Sequence, residues 1–103
     1  MFKFRLAGIM RLKEYNEEQC REEVGRCIYS LRLEEEKERQ LLQSLAALEA
    51  EIKSLLAGLL ALEGLKLRYA YRSYLREALL QQQQVVVMKR NELSVARQRL
   101  LAA

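Results

Sequence analysis

The sequence predicts an all-α chain, folded as a long antiparallel two-helix coiled-coil hairpin. Three observations predict it. Leu41, Leu45, Leu48, Ile52, Leu55, Leu59 and Leu62 are spaced alternately by four and three, the a/d repeat along which two helices supercoil. The 103 residues contain no Pro, Asp, His, Trp or Thr, and strong helix formers (Leu, Ala, Glu, Arg, Lys, Gln) dominate. Charge is also divided along the chain. Residues 1–64 carry 10 basic and 12 acidic groups, a net of −2, and residues 65–103 carry 8 and 2, a net of +6. Folding one part onto the other pairs unlike fields.

The length allows one domain, residues 1–103. Its first helix is expected over about residues 4–57, roughly 80 Å at 1.5 Å per residue. Traced backwards from Leu41, the seam passes Leu31, Cys27 and Val24, with Glu34 and Glu38 in its a/d slots. Cys20, Met10 and Leu6 keep the phase, while Glu17 and Lys13 interrupt it. Arg32 to Gln40 therefore reads as a polar stretch of solvated helix. Gly58 and Gly64 bracket the expected reversal, about residues 58–64, because glycine is the usual residue just past a helix end.

The second helix is expected over about residues 65–103. Its seam is Leu65, Leu75, Leu79, Gln82, Val86, Leu93, Ala96 and Leu100, interrupted by Arg68, Arg72 and Lys89. Being shorter, it is expected to cover the first only back to about Val24. Residues 1–23 would then project unpaired although they carry Phe4, Leu6, Ile9 and Met10. A partner surface there, or a native chain continuing past Ala103, would resolve the mismatch. The absence of a stop signal after Arg97, Leu100 and Leu101 points to the latter.

Several kinds of chemistry are excluded. General acid–base catalysis needs a His, or a carboxylate or Lys in a tuning pocket. There is no His, and all acids are Glu, mostly in exposed helical runs. The glycines are isolated, so no phosphate-cradling loop exists. No enzyme, cofactor, small-molecule substrate or metal is expected. Cys20 and Cys27 lie seven apart, roughly 10 Å along a helix, too far for a disulfide and too few for zinc. They read as small seam residues in a reducing compartment. No signal peptide opens the chain and no apolar stretch approaches the ~20 residues of a membrane span. A cytoplasmic protein is expected.

Partner surfaces remain. Arg68, Tyr69, Tyr71, Arg72, Tyr74 and Arg76 interleave aromatic and basic residues, as single-stranded nucleic acid binders do. No dense basic block accompanies them, so no nucleic acid is expected. The favoured reading packs the tyrosines beneath the hairpin tip and sets the arginines against first-helix glutamates. Tyr71, Leu75, Ala78 and Gln82 also follow i, i+4, i+7, i+11, one helical stripe whose mixture suits a protein–protein contact.

Three stretches resemble the flagellar type III export protein family FliJ: the opening Phe2-Lys3-Phe4-Arg5-Leu6 with Ile9 to Glu14; Tyr71 to Gln83; and Val86, Leu93, Val95-Ala96-Arg97 and Leu100. The resemblance implies a hairpin like the central stalk of rotary ATPases. Its partners would be the hexameric export ATPase FliI, the export-gate protein FlhA and export chaperones, at the cytoplasmic face of the inner membrane. By this resemblance Tyr71, Leu75, Ala78 and Gln82 would contact the gate. At the last of these, family members place other polar or aromatic residues. Phe4, Leu6, Ile9, Arg11 and Lys13 would enter the ATPase pore. FliJ chains typically run some 40 residues longer, in keeping with a chain truncated at Ala103. A generic coiled-coil scaffold, or the related stalk of virulence secretion systems, is the alternative.

Overall fold

In the computed structural model the described residues are 2–58 and 62–103, with side chains described for 3–58 and 64–103. They form two helices, α1 (Phe2–Ala57) and α2 (Leu62–Ala102), and no strand. Nothing in either segment opposes a helix: there is no Pro and no long β-branched run. Ion pairs one turn apart support the exposed faces, Glu23–Arg26, Glu34–Lys37 and Glu36–Arg39 on α1 and Lys89–Glu92 on α2, each a small, solvent-screened contribution.

The Gly58 amide donates to the Ser54 carbonyl at 3.3 Å, closing the last turn of α1. Residues 59–61 of the expected reversal lie outside the described residues, as do Leu59 and the side chain of Leu62. The end of that reversal needs correction: α2 begins at Leu62, so Gly64 lies inside its first turn. The Arg68 guanidinium donates to the Gly64 carbonyl at 3.0 Å, and a glycine costs a helix only about 1 kcal/mol.

The chain divides into two compact units. One comprises residues 33–86. Here Leu48, Ile52 and Leu75 form the buried core, with Leu41, Leu45, Leu65 and Tyr69 against it, and Val86 is fully enclosed. The helices run antiparallel, tied by Arg68–Glu51 at 2.8 Å, Arg76–Glu49 at 3.1 Å and Gln82–Glu34. Val85, Val86 and Val87 share one helix yet meet different surroundings: Val86 fills the seam and Val87 is half exposed.

The other unit comprises residues 1–32 and 87–103. Its core is Cys27, Leu93 and Ala96, with Val24, Ile28 and Leu31 packed against it. The Cys27 thiol donates to the Glu92 carbonyl and the Cys20 thiol to the Arg99 carbonyl, both at 3.9 Å. These contacts again run antiparallel. They carry the α2 contact to Cys20, three residues nearer the amino terminus of α1 than Glu23, where the expected unpaired stretch ends.

Leu65, Arg68, Arg72, Leu75, Leu79, Gln82, Val86, Lys89, Leu93, Ala96 and Leu100 of α2 alternate in three–four spacing, and each is buried or half buried. Leu75→Ala is therefore expected to lower the unfolding free energy by about 3 kcal/mol, and the exposed Tyr74→Ala by less than about 1 kcal/mol. Urea titrations of helicity would read both. Equal losses would remove Leu75 from the core.

Candidate partner-binding surfaces

The first surface is the amino-terminal part of α1. Residues 3–16 are all exposed, including Phe4 (83%), Leu6, Ile9, Met10, Leu12 and Tyr15. The predicted pore residues Phe4, Leu6, Ile9, Arg11 and Lys13 thus share one bare segment. At 100° per residue, Leu12, Ile9, Leu6 and Met10 lie about 80, 140, 200 and 240° around the axis from Phe4. Large apolar side chains thus spread over about 240° of the circumference, with Lys3, Arg5, Arg11 and Lys13 set among and beside them.

The second surface is the aromatic part of α2. The predicted stripe does not form one exposed patch. Tyr71 is half exposed and Ala78 partly exposed, but Leu75 is 3% exposed and belongs to the core. The Gln82 amide points into the seam, donating to the Glu34 carbonyl at 2.9 Å and to its carboxylate at 2.7 Å. Both residues occupy seam positions, and a helix cannot present one side chain to its partner helix and to solvent alike. Tyr74, which lies outside the stripe, is the exposed aromatic beside it. Its ring stacks on Tyr71, centroids 6.3 Å apart and planes 15° from parallel, and it is two-thirds exposed. Tyr71, Tyr74 and the α1 residues Lys37, Gln40 and Ser44 edge a shallow groove floored by Leu41 and Leu75.

The expected pairing of arginines with glutamates holds for Arg68 and Arg76. Arg72 lies over the Tyr69 ring instead, 4.8 Å from its centroid, a cation–π contact. Of the tyrosines in this stretch, Tyr69 packs against the core, while Tyr71 and Tyr74 stay outside it.

A third feature is a shallow groove floored by Cys27 and Ala96 and edged by Glu23, Met88, Val95 and Arg99. Arg26 donates to the Glu23 carboxylate at 2.6 Å. That hydrogen bond and the guanidinium charge hold the carboxyl below its usual range. Burial, followed by the charge of Glu23, pushes the Cys27 thiol above the ordinary thiol range.

A family model described as "Flagellar FliJ protein" matches residues 2–103. The chain belongs to the FliJ family. No curated protein and no solved structure matches it. FliJ membership makes it a component of the flagellar export apparatus, working with that machinery. None of the described helices is long and apolar enough to cross a membrane.

The thiols give a direct check on burial in this FliJ chain. Cys27 is expected to alkylate about tenfold more slowly than the half-buried Cys20 at mildly alkaline pH, with the difference vanishing in denaturant. Mass spectrometry of timed samples would read it. The raised folded-state pKa of Cys27 also fixes a sign. Its contribution to stability is intact below the ordinary thiol range and is lost as pH climbs through the raised value.

Proposed function

We propose that this chain is the non-catalytic central stalk of the flagellar export ATPase. The bare start of α1 enters the pore of the FliI hexamer, and the Tyr71–Tyr74 face meets the export gate protein FlhA. One observation carries the reading: the large apolar side chains of residues 3–13 spread over about 240° of the helix circumference, with cations between them, and all are exposed. An apolar surface that wide is buried best when the helix is surrounded. A flat surface touches one side of it, whereas a ring encloses it. Arg5, Arg11 and Lys13 among the apolar residues call for an acidic or carbonyl-rich lining.

The gate reading rests on the stacked tyrosines. Exposed aromatics carry much of the binding energy at protein contacts, and α1 flanks them with short or polar side chains, Lys37, Gln40 and Ser44. Leu75 and Gln82 act beneath this face by holding α2 in place. The protein works in the cytoplasm, peripheral to the inner-membrane export apparatus, where export chaperones are further partners. Family membership favours this over a generic scaffold and over the virulence-system stalk. Nucleic acid is the weaker reading for the aromatic stretch, because Arg68 and Arg76 are already paired.

Two surfaces predict separable defects. Phe4→Ala with Ile9→Ala is expected to leave helicity intact and cut stimulation of export-ATPase hydrolysis about tenfold. Tyr71→Ala with Tyr74→Ala should spare that stimulation and weaken gate binding by about tenfold or more. Hydrolysis assays and calorimetric titration against the gate's cytoplasmic part would read them. A wild-type chain that neither stimulates hydrolysis nor promotes ring assembly would sink the stalk reading.

A further inference from the structure

The seam of this hairpin is not uniformly apolar, and its charges are sorted by helix. In the 33–86 unit the polar seam positions of α1 are Glu34 and Glu38, and those of α2 are Arg68, Arg72 and Gln82, all half buried. In the other unit the seam charge on α1 is Glu17 and that on α2 is Lys89, again half buried. From Glu17 onward, every described seam charge on α1 is acidic. Every one on α2 is basic, and its one amide, Gln82, faces an acid.

Two copies of one helix paired in parallel and in register place each seam residue opposite its own copy. A second α1 would therefore set Glu34 against Glu34 and Glu38 against Glu38. A second α2 would set arginine against arginine at 68 and 72. Like charges so placed oppose association. The hairpin has neither problem. The Glu34 carboxylate takes Gln82 on one oxygen at 2.7 Å and Lys37 on the other at 3.2 Å, and Arg68 reaches Glu51 at 2.8 Å. The apolar run Leu41 to Leu55 alone would suit another α1 just as well as α2, since apolar burial has no direction.

We propose that these seam charges are a pairing code. They commit α1 to α2 and bar a second copy of α1 from pairing with it in parallel and in register, and Gln82–Glu34 sets the register of the hairpin. A single polar seam residue is known to fix register and partner number in coiled coils.

Two sets of full-length variants test this. In the first, Gln82→Glu sets a carboxylate against Glu34 and is expected to lower the folding equilibrium constant about tenfold. Adding Glu34→Gln, which exchanges the two groups, should recover most of that loss. In the second, Glu34→Leu with Glu38→Leu should keep or raise helicity, while sedimentation equilibrium shows self-association tightened by about tenfold or more relative to wild type. An exchange without recovery overturns the register role. A double-leucine variant that is fully helical and no more associated than wild type overturns the code. A wild-type chain that already pairs α1 with α1, read by crosslinking at the exposed Ser54, does the same.

Discussion

Two helices share a strip only one or two side chains wide, and everything else in this chain depends on that strip being filled. The buried residues among those described are Cys27, Leu48, Ile52, Leu75, Val86, Leu93 and Ala96. At about 1.5–3 kcal/mol for each large side chain, and against the entropy of ordering two long helices, so short a set leaves little surplus. Each seam position then matters, and a mismatched layer is not diluted by a larger core. Small residues are used where the helices meet at Cys20, Cys27 and Ala96, and larger ones at Leu48, Ile52 and Leu75.

This constraint decides which residues are free for partners. A seam side chain is spent on the opposite helix, so Leu75 and Gln82 cannot also reach outward. Side chains free to meet a partner lie at positions flanking the seam, as Tyr71 and Tyr74 do, or on a stretch with no opposite helix, as residues 3–16 have none among the described residues. Substitution at Leu75 loosens α2, whereas substitution at Tyr74 removes an exposed ring and leaves the seam filled. Stability and binding must be measured together to tell these apart.

The helices and their antiparallel pairing were legible in the sequence because both rest on short-range rules: the three–four spacing and the division of charge at the glycines. The tyrosine face was legible only in part. Tyr71, Leu75, Ala78 and Gln82 form a stripe by helical spacing, but Leu75 and Gln82 also satisfy the seam count from Leu65 to Leu100, and the seam claim prevails because burial is worth more there. With Leu75 and Gln82 in the seam, Tyr71 and Tyr74 are the exposed aromatics of this stretch. Their stacking across one helical turn depends on rotamers, which spacing does not encode. Gly64 looks like a terminator, yet it lies inside the first turn of α2 and its carbonyl accepts from Arg68 one turn on, a contact that rests on a long side chain's rotamer.

The bare start of α1 poses an opposite problem to the seam. Phe4, Ile9 and Leu12 in water favour aggregation, yet no seam charge guards them as Glu34 and Glu38 guard Leu41 to Leu55. Lys3, Arg5, Arg11 and Lys13 take that role, since two such segments approaching each other bring only cations together apart from Glu14. Repulsion between copies and attraction to an acidic enclosure follow from the same four charges. The attraction weakens with salt, whereas apolar burial inside a ring does not. On the proposed stalk reading, Arg11 and Lys13 would act mainly on the rate of entry into the ring, and Phe4 and Ile9 on how long the segment stays.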